Sequence, residues 1–236
     1  VPKKWWPVFT ATIYSADMQN LENNKEYVYR VGGYSSVNAS MRFSDQFVFK
    51  AAPAPNSDPN RRTIAATFAD HGTFELFGFK TVDKLVELYN DGDRVDRYDF
   101  VHVAGDLSYA GLSAPFVPLN VSKEDEFEHI WDLLAIQNQP VAARVPWMVS
   151  DGNHERFYDW AAFKARFTMP SNSKDADGYD SHGNFWYSYQ YGNSRWISLD
   201  SEADLSESSP QISFLEAALQ AASANRERVP WVVVAI

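Results

Sequence analysis

Cysteine is absent from this chain of 236 residues. Disulfides therefore contribute nothing to its stability, and the redox compartment is left undetermined. Positive charge is scarce. The 21 Lys and Arg against 31 Asp and Glu leave a net charge of −10, which argues against nucleic acid or an anionic membrane as the main partner, since both require basic patches. No apolar run approaches the ~20 residues of a membrane-spanning helix. Nor does the sequence repeat itself at a period of about 20 to 50 residues. The chain opens on Val1 rather than Met and shows no signal peptide, so a processed or cut start is expected. What it does hold is a soluble globular composition, 45% hydrophobic and 22% charged, with 8 Trp, 12 Tyr and 16 Phe to fill a core. That length suits one large domain or two small ones. Two N-x-[ST] patterns, at Asn38 and Asn120, permit glycosylation if the protein is secreted.

Residues 1–51 read as β structure. Residues 9–14 alternate in part, residues 26–31 alternate ahead of an expected Gly32-Gly33 turn, and a further strand runs through Phe47-Val48-Phe49. About three strands are too few for a sandwich of about seven. They are either a small sheet packed on the main domain or the end of a longer β domain. Residues 52–60 carry Pro53, Pro55 and Pro59 among small polar residues and read as a linker. From Arg61 onward, strands and helices alternate. Strands are expected at 63–68, ahead of Gly105, at 147–149 and at 231–236, the last of them buried. A hairpin is expected over 185–191 and 195–199 across Gly192-Asn193. One helix over 81–90 places Val82, Leu85, Val86 and Tyr89 on one face. A second follows a capping-box start at 122–125, with Phe127, Ile130, Trp131 and Leu134 as its stripe. A third spans 158–167, and Pro210 opens a fourth with Ile212, Leu215, Leu219 and Ala222 inward. Residues 169–183, polar and Gly-containing, read as a loop. The alternation predicts a mixed α/β sandwich.

Three of these strands end alike. The run Val101-His102-Val103-Ala104 meets Gly105-Asp106-Leu107-Ser108-Tyr109, and Trp147-Met148-Val149-Ser150-Asp151 meets Gly152-Asn153-His154-Glu155. Upstream, Ile64-Ala65-Ala66-Thr67-Phe68-Ala69 meets Asp70-His71-Gly72. A buried strand that ends in glycine and a polar cluster is how such a strand delivers groups to a site at its C-terminal end. Taken singly, each is compatible with an ordinary turn. A G-N-H-[DE] run, however, arises by chance in only about a few per thousand chains of this length. Three strand ends with hard oxygen or amide donors point to one metal site.

These blocks resemble the metallophosphoesterase superfamily, and within it the purple acid phosphatases, which carry D-x-G, G-D-x-x-Y, G-N-H-[DE], V-x-x-H and G-H-x-H. Asp70 to Gly72 matches the first, with Ala69 where many members have Gly. Gly105 to Tyr109 matches the second and Gly152 to Glu155 the third. Tyr109 is the discriminating residue, because most metallophosphoesterases lack it. The resemblance implies two mixed sheets face to face with helices outside, preceded by part of a fibronectin-III-like β-sandwich in residues 1–51. It implies a binuclear centre of Fe(3+) and a divalent zinc, manganese or iron ion. In that centre Asp106 bridges, Asp70 and Tyr109 hold the ferric ion, and Asn153 binds the divalent one. His154 would donate to the phosphate or to the leaving oxygen. The implied activity is acid hydrolysis of phosphate monoesters in a secreted or vacuolar/lysosomal protein; a homo-oligomer is left open.

The other histidines weigh differently. His71 is a weaker candidate for a substrate contact, His102 reads as a core histidine with its bonds satisfied, and His129 and His182 read as surface residues. Asp200 could support a ligand, though a strand-end turn suits it better. Two other function classes stay open: a relative that cleaves diesters or pyrophosphate bonds, against which Tyr109 speaks, and a non-catalytic domain that keeps the fold. The last two blocks of the family pattern are missing, and the chain stops inside an apolar run at Ile236. The expectation is therefore that the protein continues and that these residues alone are inactive.

Overall fold

The computed structural model describes residues 12–35, 39–58, 60–73, 77–91, 97–110, 123–170 and 182–236. Two antiparallel pairs come first. Strand β1 (Glu26–Tyr29) pairs with β4 (Phe47–Lys50), and β2 (Gly32–Ser35) pairs with β3 (Ser40–Phe43). The Gly32-Gly33 turn expected from the sequence is a strand instead. A Cβ at Gly32 would lie 2.5 Å from the Phe43 ring, so glycine here makes room for an aromatic neighbour across the pair. The expected strand over 9–14 lies partly outside the described residues, and Thr12 to Tyr14 are irregular and exposed.

The body of the chain holds two three-stranded sheets. One is parallel in the order β5 (Ala65–Phe68), β6 (Phe100–Ala104), β7 (Trp147–Ser150). In the other, β9 (Ser194–Ser198) lies between β8 (Tyr187–Tyr191), antiparallel to it, and β10 (Trp231–Ala235), parallel to it. The expected hairpin is present, with its turn at Gly192-Asn193. Successive side chains of a strand alternate between faces. On β6, Phe100 and His102 therefore point together at the second sheet. There Phe100 meets Tyr191 and Trp196, each at 5.1 Å between ring centroids, and His102 stacks on Trp196 at 5.8 Å. Val101 and Val103, also fully buried, take the other face.

Helices cover the outsides. Helix α1 (Gly78–Asn90) buries Val82 and Leu85, and α2 (Lys123–Ala142) buries Trp131 and Leu134 beside it. The expected stripes are the ones used, although Phe127 and the capping box lie outside what can be described. In α3 (Phe157–Arg166), Tyr158, Asp159 and Trp160 are left-handed before regular helix begins. Helix α4 (Pro210–Ala224) starts under Ser209, whose hydroxyl accepts from Ile212 N at 3.2 Å, a cap worth about 1 kcal/mol. Its inward face is the expected one only in part: Ala222 is buried and Ile212 and Leu215 are half-buried. Phe214 and Ala218 are buried against Ile197 and Leu199, Gln211 is buried as well, and Leu219 is exposed. Small Ala218 and Ala222 let the helix sit close to β9. Strand β10 is likewise more open than its composition suggests: Trp231 is 70% exposed, because among the described residues β10 pairs with β9 alone.

His102 sits in the core between the sheets, 1% exposed, with Nδ1 3.0 Å from the Tyr189 hydroxyl and Nε2 3.2 Å from Ser150 Oγ. Burial holds it down at about 4, against an ordinary 6.5. Between those two values the unfolded chain takes up a proton that the folded chain refuses. This histidine therefore lowers stability as pH falls from 6.5 to about 4, by roughly 3 kcal/mol over the whole window. A His102→Gln variant, which cannot titrate, should lose less stability than the parent between pH 7 and pH 4.5 in urea unfolding. Equal losses would remove His102 from the acid response.

Candidate metal centre

The C-terminal ends of β5, β6 and β7 lie side by side because the three strands are parallel and in register. Pairing continues past the strands. Asp70 N donates to Gly105 O at 3.3 Å, His71 N to Asp106 O at 2.9 Å, and Gly72 N to Leu107 O at 3.0 Å. The two loops that carry Asp70 and Asp106 are thus zipped together by backbone bonds. Gly105 and Gly152 permit the third loop to approach. Gly105 has φ +82° and a Cβ there would lie 2.8 Å from Asp151 O, while a Cβ at Gly152 would lie 2.4 Å from Asp106 Oδ1. The polar cluster carries backbone strain: Asp70, Asp106 and Tyr109 all have positive φ, at 53°, 53° and 57°. Non-glycine residues adopt that region at a cost of order 1 kcal/mol or more, and such outliers collect at functional sites.

The side chains converge. The Tyr109 hydroxyl donates to Asp70 Oδ1 and, at 3.2 Å, to Asp106 Oδ2. Asp106 Oδ1 accepts the His154 backbone N–H at 3.1 Å, and His154 Nε2 stands 4.0 Å from Asp106 Oδ2. The rings of Tyr109 and His154 are 4.5 Å apart. Burial, then the Asp70 and Asp106 carboxylates, push the Tyr109 phenol far above its ordinary value. Four of the five sequence-derived residues therefore share one cluster. The fifth, Asn153, is exposed at the rim between Gly152 and His154 and makes no hydrogen bond within the cluster among the described residues.

This donor set fits a hard cation. Two carboxylates and a phenol meet where, among the described residues, neither Lys nor Arg pairs with Asp70 or Asp106. Oxygen donors of this kind suit hard metal ions, and a positive charge there would pull the phenol proton off. No group of three or more His, Cys, Asp or Glu side chains converges as a metal site among the described residues, so the set depends on the tyrosine.

Sequence reasoning assigned Glu155 no role, yet it builds the site. Fully buried, it accepts Leu107 N at 2.8 Å through Oε1, and Asp106 N and Gly152 N, each at 2.9 Å, through Oε2. One side chain thus ties the β6 loop to the β7 loop. Burial pushes its carboxyl up to about 7, while the three N–H donors pull the other way. Its signal was the last letter of the third block. Its neighbour Asp151 is also buried, accepts from Trp160 Nε1 at 2.9 Å, and is pushed up to about 8 by burial and then by Asp200.

His71 is not a substrate contact. It is 3% exposed and packed between Phe68 and Trp147, with Nε2 2.8 Å from Asn138 Oδ1, so it anchors the loop after Asp70 from behind. His129 and His182 are exposed, as expected. Asp200 closes a turn through Glu202 N at 2.7 Å.

A family model described as calcineurin-like phosphoesterase matches residues 66–235. The chain belongs to that family. The chain is 30% identical, over 94% of its length, to probable inactive purple acid phosphatase 27 of Arabidopsis thaliana, covering 35% of that protein. It is 28% identical to a nucleotide pyrophosphatase/phosphodiesterase of Hordeum vulgare, over 86% of this chain and 53% of that one. Among solved structures, a purple acid phosphatase from yellow lupin (Lupinus luteus) seeds superposes with a TM-score of 0.69 at 25% identity, covering 91% of this chain and 36% of that one. The mixed α/β fold and the likeness to purple acid phosphatases read from three short blocks both hold. The chain spans about a third to a half of the length of these relatives.

Proposed function

We propose that this phosphoesterase supplies metal-holding strands of an acid phosphatase that hydrolyses phosphate monoesters, with Fe(3+) and a divalent zinc, manganese or iron ion as its metals. The observation that carries the reading is the Tyr109 hydroxyl set between Asp70 and Asp106. When bound, the metals would neutralise the negative oxygens of the ester and generate a hydroxide nucleophile at mild pH. Asp70, Asp106 and Tyr109 would hold the ferric ion, and Asp106 and Asn153 the divalent one. His154, at the edge of the cluster, is placed to donate to the phosphate or to the leaving oxygen. In the same reading residues 1–51 end a fibronectin-III-like domain, residues 52–60 link it, and residues 61–236 belong to the catalytic domain of a secreted or vacuolar/lysosomal protein.

Two relatives favour other readings. One is named for nucleotide pyrophosphatase and phosphodiesterase activity, another as inactive. Metal analysis of the full-length protein, with p-nitrophenyl phosphate and a bis-p-nitrophenyl ester compared as substrates, separates the three. We expect two metals and preference for the monoester. Diester preference would move the assignment to the phosphodiesterases, and metal-free protein without turnover would leave a non-catalytic domain. Tyr109→Phe should abolish the visible phenolate-to-iron absorption of the holoprotein while leaving its circular dichroism unchanged. A variant that keeps its colour would remove Tyr109 from the ligand set.

A further inference from the structure

A second polar site lies at the other end of the parallel sheet, about 16 Å away by the length of a five-residue strand. Arg61 and Asp99 stand ahead of β5 and β6, and with Glu26 and Lys50 of the β1–β4 pair they line a cavity of about 360 Å³. Arg97 and Arg144 complete its charged wall. Among the described residues, four cations face two carboxylates, a surplus of two positive charges in a chain whose net charge is −10.

The guanidinium groups are held in place before any ligand arrives. Arg61 is bound to Asp99 Oδ1, and Asp99 Oδ2 is already occupied by Ile64 N at 3.0 Å. The Nε of Arg61 is buried without a partner among the described residues. The guanidinium carbon of Arg97 stands 3.7 Å from the centre of the Tyr89 ring, a cation–π contact that uses none of its N–H donors. Arg144 gives one donor to Pro140 O at 2.6 Å. Neither Arg97 nor Lys50 forms an ion pair among the described residues.

We propose that this cavity binds a small phosphoryl dianion. A charge of minus two matches the surplus, and planar guanidinium forks match phosphate oxygens. The space exceeds a bare phosphate, and the Phe49 and Tyr98 rings on its wall can take a small organic group. The inference does not rest on the phosphatase reading.

The test is calorimetric titration of the full-length protein at fixed ionic strength, in an Asp106→Asn background that weakens anion binding at the other end of the sheet. Inorganic phosphate and phenylphosphonate are the probes. Binding of at least one probe should survive Asp106→Asn and weaken about tenfold on adding either Arg97→Gln or Lys50→Gln, both exposed positions whose replacement leaves the core intact. Tighter phenylphosphonate binding would identify an organic phosphate as the ligand; equal or weaker binding, phosphate itself. Loss of all binding in Asp106→Asn alone, or binding indifferent to both added substitutions, would overturn the proposal.

Discussion

Glu155→Ala is expected to unfold the protein more readily than loss of any proposed metal ligand. The substitution strips the acceptor from three backbone N–H groups at once, those of Asp106, Leu107 and Gly152. With Glu155 only 1% exposed, water reaches those donors poorly. Each buried donor left without a partner costs about 1 to 3 kcal/mol, so a loss of roughly 3 to 5 kcal/mol and a fall in Tm of roughly 10 °C should follow. The damage is not only to stability. Asp106 and Gly152 are ends of the same clamp, so their loops should drift apart and metal affinity should fall about 10- to 100-fold. Glu155→Gln keeps the shape and one carbonyl oxygen but turns an N–H donor toward the other N–H groups, and should fall between. Differential scanning calorimetry and metal titration check both effects. An alanine variant that melts with the parent would show that the clamp is dispensable.

That the clamp went unread in the sequence has a physical reason. Asp70, Asp106, Tyr109 and His154 could be picked out because each stands in a short block that matches a family pattern behind an apolar strand, and the structure gathers the four into one cluster. A side chain that serves backbone amides leaves no such mark, since its partners are N–H groups common to all residues. The fold divides in the same way. Apolar runs announced β5, β6 and β7, and the Gly192-Asn193 turn announced the β8–β9 hairpin. The face of α4 was read in part only, because two stripes that share Ala222 fit its period, Ile212-Leu215-Leu219-Ala222 and Phe214-Ala218-Ala222. Hydrophobicity favours the first; the short reach to β9 selects the second, whose alanines allow close approach.

Asp106 should matter most to catalysis. Its two oxygens already divide between two neighbours, Oδ1 toward the β7 loop through His154 N and Oδ2 toward Tyr109. On the proposed reading, a carboxylate so placed, at the centre of a cluster with Asp70 beyond the tyrosine, would serve both cations. His154 reaches the cluster only by its edge, with Nε2 4.0 Å from Asp106 Oδ2. Removing its imidazole should therefore weaken hydrogen bonding to the ester while leaving the donor set whole, a loss of about 10- to 100-fold in kcat. Asp106→Asn removes one anionic oxygen from the centre and puts an N–H₂ group where a cation should sit. Its loss in kcat/KM should exceed that of His154→Ala by about a further hundredfold, with metal content reduced, whereas His154→Ala should keep its metals. The full-length protein, assayed on a phosphate monoester with metal content measured in the same preparations, gives both numbers. If Asp106→Asn retained both metals, or lost no more activity than His154→Ala, the bridging carboxylate would have to be sought elsewhere in the cluster, with Asp70 the remaining candidate.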